Sequence, residues 1–393
     1  MKGKIRKLQR MYFFFDAVLV VFAGFTVPYL KKLGLSNSQV GFYMSIMMLN
    51  GILGQFTTGY ICDLKKTIKK VFLILTLMLS IAVSLIYRIE VVEIKLIILP
   101  IIGFIQSSMM SLIDSWVLES HDEVKKSYGL VRAFGSLGWG LSAIIIGRCI
   151  DQFGWESLIT IHLILSAIFI WMIIRVDDVK KAVNTDENKV SLKHVKIMLS
   201  NGRYVTVVTI FLLLFMAMQA YSMFVPILIE KYGGDKGDIG LFFMIAAFSE
   251  IPMFLYSKRL LERLKASQLL IICCFIFIIK MLITAFTRHV SMLVFIGLFQ
   301  MFTYTLATFT AKRLIDDVSP ENLKTSAQTI AMGIYLGVSG FVTYNLSGNL
   351  ADHLGIQNTL IIQGGLCLAA LLMSIYYNRR FYVEKSVDNK RAI

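Results

Sequence analysis

Runs of about 20 apolar residues recur along this chain, and each is long enough as an α-helix to cross a hydrocarbon core of roughly 30 Å. Twelve can be placed, over residues 11–30, 39–62, 71–88, 96–118, 131–150, 157–175, 204–228, 238–257, 267–287, 291–311, 326–347 and 357–377. Lipid offers no partner to a free N–H or C=O, so segments of this length must close their hydrogen bonds internally, as helices do. The 393 residues are 56% hydrophobic and 17% charged, which leaves little chain for a soluble domain.

The net charge of +15 raises the question of a nucleic-acid partner, and the placement of the 40 Lys and Arg residues answers it. With the N-terminus inside, the seven inner segments carry 30 of them and the six outer segments carry 8, while Arg132 and Lys280 lie within spans. This is the inside-positive bias of membrane proteins, not a phosphate-binding surface, which would concentrate charge on one domain. It puts both termini in the cytoplasm and predicts a multi-pass protein of the cytoplasmic (plasma) membrane, with no nucleic acid among its partners. Met1 to Arg10 followed by an apolar run resembles a signal peptide, but Asp16 and the lack of a small-residue cleavage site predict an uncleaved first helix.

Most loops are short. The one long polar stretch predicts a cytoplasmic linker at 176–203, between an N-terminal six-helix bundle at 1–175 and a C-terminal one at 204–393 with a short cytoplasmic tail. Internal repeats support two halves. Gly147-x-x-x-Asp151-x-x-Gly154 recurs as Gly348-x-x-x-Asp352-x-x-Gly355, both expected in outer loops, and a partial copy, Gly59-x-x-x-Asp63, lies three helices before the first. An odd number of crossings puts that copy on the inner side, so parallel halves contain inverted three-helix units. Gly59 and Asp63 are then candidates for a gate, where a carboxylate meets a helix N-terminus or an arginine; an ordinary solvated loop acid is the alternative.

Five charged residues interrupt the apolar spans: Asp16, Asp114, Arg132, Glu250 and Lys280. Each costs roughly 2.5–3.5 kcal/mol at mid-membrane, so such residues face a protein interior or a wet cavity and mark function. Asp114 ends one helix and Arg132 opens the next, at equal depth in the hairpin, where an ion pair would leave lone pairs and N–H groups free for vicinal hydroxyls. Trp139 follows Arg132 by two turns on the same face and offers an indole for the flat side of a sugar ring. The alternative has Arg132 snorkelling to headgroups, Asp114 capping the hairpin and Trp139 packing. Glu250 stands in mid-span beside Pro252. Three acids against two bases leave one carboxylate without a basic partner, a natural proton carrier.

Here the residues carry a resemblance. Parallel halves with inverted units are the organisation of the major facilitator superfamily, and Gly59-Tyr60-Ile61-Cys62-Asp63 resembles the start of its loop signature, without the second glycine. Tyr128-Gly129-Leu130-Val131-Arg132-Ala133-Phe134-Gly135-Ser136-Leu137-Gly138-Trp139 resembles the helix 5 entry of lactose-permease-like proton symporters. The resemblance implies substrate binding by Asp114, Arg132 and Trp139, a Glu250 that links substrate binding to proton movement, and a Lys280 where the family has a cavity-facing arginine. Gln300 is a further candidate to hydrogen-bond substrate, and Asp16 and Asp114 join Glu250 as candidates for proton coupling, Asp16, near a helix N-terminus, having a structural role as its alternative. The resemblance also suggests that Lys280 pairs with Glu250, although an axial offset of about 10 Å at 1.5 Å per residue separates them. Helix 10 departs from the family: Phe299-Gln300-Met301-Phe302-Thr303-Tyr304 has no His and Glu pair, which leaves facilitated diffusion open.

Asn50, Gln55, Gln106, Gln219, Tyr221 and Asn345 are further polar residues of the spans, for the cavity wall or for interhelical hydrogen bonds, and neither His162 nor His289 is given a coupling role. Cys62, Cys149, Cys273, Cys274 and Cys367 lack metal-ligand spacing, so no metal and no cofactor are expected. No phosphate-cradling Gly-x-x-x-x-Gly-Lys-Ser/Thr loop is present, and an ion gradient is the expected energy source. The reading is a twelve-helix all-α secondary transporter, a monomer, carrying a sugar or glycoside with protons by alternating access. Phenylpropionate-type acid uptake or drug efflux is the alternative in the same class. Other classes are a membrane-embedded enzyme using Asp114 and Glu250, or a sensor signalling through the central loop, Thr185 to Val190 included.

Overall fold

The computed structural model describes residues 2–120, 128–178 and 192–382, so part of the loop between Asp114 and Arg132, and the linker segment Thr185 to Val190, lie outside the described residues. Among the described residues the chain is helical and has no strand. Twelve long helices follow the predicted order: α1 Gly3–Lys32, α2 Asn37–Lys65, α3 Lys69–Arg88, α4 Val92–Leu118, α5 Tyr128–Phe153, α6 Ser157–Ile174, α7 Gly202–Lys231, α8 Lys236–Arg263, α9 Ala266–Phe286, α10 Val290–Val318, α11 Ser326–Leu354 and α12 Ile356–Tyr377. Eleven are apolar enough to span a membrane by composition. The exception is α2, whose 29 residues include Asn50, Gln55, Thr57 and Thr58 and so lower its mean hydropathy; it packs along α4 and α11. The apolar runs placed the helices, and their ends extend beyond the runs because capping and polar last turns add residues.

Three helices are interrupted. In α1 the chain turns at Gly24 and Phe25, because Pro28 has no N–H to return to the Gly24 carbonyl. In α10 a 3₁₀ turn at Ile296–Met301 separates Val290–Phe295 from Tyr304–Val318. In α11 a π-helical stretch, Gly333–Val338, joins Lys324–Met332 to Ser339–Leu354. A short helix, Leu192–Ser200, precedes α7.

Helices α1, α3, α4, α5 and α6 pack among themselves, as do α7, α9, α10, α11 and α12, while α5 with α8 and α2 with α11 form the most extensive contacts between chain halves. Lys7 near the start of α1 donates to the Arg175 carbonyl at the end of α6 at 3.2 Å, which defines an N-terminal face of the molecule. The ends of α5 and α11 and the starts of α2 and α8 lie on the opposite face.

Candidate solute-binding site

Around Arg132, α5 presents Gly135, Ser136 and Gly138 toward its neighbours. A Cβ at Gly138 would collide with the backbone of Phe13, and one at Gly135 would enter the space of the Asp16 carboxylate and the Arg132 guanidinium. These glycines bring α1 and α5 close enough for Arg132 Nη1 to donate to Asp16 Oδ2 at 2.9 Å. The Asp16 side chain is 4% exposed and that of Arg132 17%, so the guanidinium keeps an accessible face within a buried, charge-assisted pair.

The expected Asp114–Arg132 pair is not formed. Asp114 Oδ1 accepts hydrogen bonds from the hydroxyls of Tyr12 and Tyr128, the latter at 3.0 Å. Equal depth in a hairpin fixes height but not the third helix against it, and α1 brings both an acid and a phenol. Tyr12 and Asp16 are one turn apart; the acid takes Arg132 and the phenol takes Asp114, with the Arg132 guanidinium 5.9 Å from the Tyr12 ring centre. Asp114 is absent from the cavity wall.

Glu250 and Lys280 are joined by an intermediary rather than directly. Lys280 is fully buried and donates to Gln300 Oε1 at 2.9 Å and Thr303 Oγ1 at 3.3 Å, with its ammonium 3.8 Å from the Tyr221 ring centre. The side chain of Gln300 stands beside Glu250 on the cavity wall, and Glu250 accepts from Ser136 Oγ at 3.3 Å across the halves. The offset read from the sequence is spanned by an amide, delivered by the 3₁₀ turn of α10, instead of by the lysine stem.

These groups meet at a cavity of about 300 Å³ lined by Asp16, Arg132, Ser136, Trp139, Glu250, Gln300 and Tyr304, with Met44, Phe243 and Tyr344 among its other walls. Trp139 shares the Arg132 face, as its spacing predicts, and meets Phe243 edge-on at 6.3 Å. Lys280 stands behind Gln300, off the wall. The geometry offers a guanidinium, two carboxylates, an amide and the hydroxyls of Ser136, Ser222, Tyr304 and Tyr344 around an aromatic flank, a set able to bind hydroxyl groups as donors and as acceptors. Of the other polar residues, Gln219 accepts from Tyr344 at 2.8 Å, while Asn50 and Asn345 donate to carbonyls one turn back. Tyr12 and Tyr344 carry no sequence signal of their own, and Tyr128, Ser136 and Tyr304 stand in the segments quoted for helices 5 and 10 without a role assigned to them.

The repeated Gly-x-x-x-Asp-x-x-Gly segments close the face opposite the N-terminal one. They occupy the last turns of α5 and α11, not loops as expected, and only their final glycines lie outside the helices, at positive φ of 76° for Gly154 and 85° for Gly355. A Cβ on Gly147 would strike the Lys236 carbonyl, and one on Gly348 the Asn37 carbonyl. Asp151 accepts from the backbone N–H groups of Lys236 and Gly237 at 3.1 and 2.8 Å, and Asp352 from those of Asn37 and Ser38 at 3.0 and 2.7 Å. Each carboxylate thus sits on a helix N-terminus of the other half, where free N–H groups and the helix dipole favour it. At the third copy, on the N-terminal face, a Cβ on Gly59 would meet nothing within 4 Å, and Asp63 is exposed.

Residues 5–362 match the model of the MFS_1 like family. The chain is 22% identical over 367 residues to the uncharacterized transporter YwbF of Bacillus subtilis (strain 168), covering 92% of this chain and 89% of that one. It is also 22% identical over 324 residues to the maltose permease of Geobacillus stearothermophilus, covering 81% and 80%. In fold it resembles the nucleoside transporter NupG, with a TM-score of 0.80, 14% identity and coverage of 95% and 98%. A bacterial homolog of the human lysosomal transporter Spinster matches with a TM-score of 0.74 and 10% identity over 97% of each chain. Twelve helices in this arrangement, with a polar cavity between the halves and a family match over most of the length, make this chain an integral membrane transporter that belongs to the MFS_1 like family, with the major facilitator fold.

Proposed function

We propose that this transporter carries a sugar or glycoside across the cytoplasmic membrane together with protons, with both termini inside. The observation that carries the reading is the joint presence on one cavity wall of the Asp16–Arg132 pair, Glu250, Gln300 and the Trp139 indole. A planar donor fork and carboxylate acceptors recognise vicinal hydroxyls, and an indole covers the apolar ring face. A cavity of about 300 Å³ sits at the small end of the range for small-molecule sites, which suits a solute of one or two rings. The 22% identity to a maltose permease supports the same class.

In this reading Arg132, Asp16, Trp139, Glu250 and Gln300 bind solute, with Lys280 acting through Gln300. Glu250, which has no ion-pair contact with Lys280, exchanges the proton, and Asp114, bonded to Tyr12 and Tyr128 off the wall, does not touch the solute. Residues 1–175 and 204–393 act as two bundles about the linker 176–203, and the molecule is monomeric. The clasped face is the outer one, so the cavity serves the cytoplasm, and Gly59 and Asp63 belong to the gate that closes when the bundles rock.

The experiment is uptake into proteoliposomes under an imposed pH gradient, comparing labelled maltose, phenylpropionate and uridine. Accumulation of maltose that collapses with a protonophore supports the proposal. Gradient-driven uptake of phenylpropionate alone overturns it in favour of acid transport, and recovery of a chemically altered solute favours an enzyme.

A further inference from the structure

We infer that Tyr12 and Tyr128 are positioning residues that keep Asp114 from competing for Arg132, so that the guanidinium stays with Asp16 at the cavity; this rests on the reading of the cavity as the solute site. One guanidinium lies among carboxylates from α1 and α4, and among the described residues only Asp16 pairs with it, at 2.9 Å. Asp114 instead has one oxygen occupied by two phenol donors, from α1 and from the first residue of α5. Asp114 is half-buried, and among the described residues its hydrogen-bond donors are the two phenols, with Arg132 near enough to feel its charge. With the phenols in place Asp114 is satisfied without the cation; without them the guanidinium is the charged donor nearby, and recruiting it draws Arg132 away from the wall.

Tyr12 has a second part in this. Its ring faces Arg132 at 5.9 Å while its hydroxyl reaches past to Asp114, so the aromatic body stands where a direct ion pair would form. The arrangement also explains why an acid and a base at equal depth in a hairpin stay apart.

The test is the double variant Tyr12→Phe/Tyr128→Phe, alone and with Asp114→Asn added. Maltose binding to purified protein is expected to weaken about 10- to 100-fold in the double variant, the size of losing a hydrogen bond to a charged group. The triple variant is expected to recover to within about threefold of the parent, because the competing charge is gone, a rescue that a purely structural loss would not show. A cryo-EM structure of the double variant reads the same event without solute: Arg132 should leave Asp16 and bond Asp114. Arg132 still on Asp16, or no rescue by Asp114→Asn, overturns the inference. If the parent itself binds no maltose, the sugar reading fails while the position of Arg132 still decides this one. The single variants, each leaving one phenol, give the same order at smaller size.

Discussion

Arg132 has one set of donors to give, and their recipient decides what the cavity can bind. Removing one member of a buried pair leaves the other uncompensated, a loss of roughly 3–5 kcal/mol, whereas removing both charges is far milder. Arg132→Ala is therefore expected to lower thermal stability strongly, and Asp16→Asn/Arg132→Gln to regain most of it while remaining without transport. Unfolding followed by tryptophan fluorescence, beside uptake, checks both halves of that statement. Gly135→Ala should abolish binding as well, since the added methyl enters the space of the pair, whereas Gly59→Ala leaves binding untouched because its methyl meets nothing. Ligand-induced thermal shift separates the two. The ionic residues of the wall were legible in the sequence because charge in an apolar run is costly, so each had to serve a site. Their partners were not, because Tyr12, Ser136 and Tyr304 are unremarkable in a membrane helix and gain meaning only from helix rotation, which no spacing within one helix fixes.

Among the elements, the repeated eight-residue segment has three parts with three jobs. Its first glycine lets two helices of opposite halves touch, its aspartate covers the N-terminus of the partner helix, and its last glycine ends its own helix at positive φ. The spacing showed the repeat and its two-fold placement, but not that it lay inside the last turns, because apolar runs end before polar helix ends do. Asp352→Ala removes a charged cap of the kind worth about 1–2 kcal/mol. It is expected to shift the balance away from the clasped face about five- to thirtyfold. Spin-label distances across the ends of α5 and α8 and of α2 and α11 should gain a longer component. An unchanged distribution would mean that the glycine contacts alone hold the face. The interruptions of α10 and α11 were not read from the sequence, although Gly297 in the 3₁₀ turn and Gly333 and Gly337 in the π stretch weaken the helix there; the geometry they adopt is set by tertiary contacts, as when Lys280 draws Gln300 and Thr303 together.

Across the whole molecule, the two clasps lie on one face and the partial copy of the same motif, Gly59 and Asp63, lies on the other, an arrangement suited to two rigid bundles rocking about a central site. The tight contacts at Gly147 and Gly348 are backbone to backbone, with no flexible side chain to move aside. A larger residue at either position cannot be absorbed locally, so the halves must part there. Gly147→Leu/Gly348→Leu is thus expected to hold the clasped face open while leaving every residue of the cavity wall in place. Solute should still bind, with an affinity within a fewfold of the parent, yet neither accumulation nor exchange should occur, because the conformation accessible from the N-terminal face can no longer form. Binding by calorimetry, exchange in proteoliposomes and spin-label distances across the clasped face together check this. Retained exchange with lengthened distances would show that transport does not depend on sealing this face, and the rocking scheme for this protein would have to be abandoned.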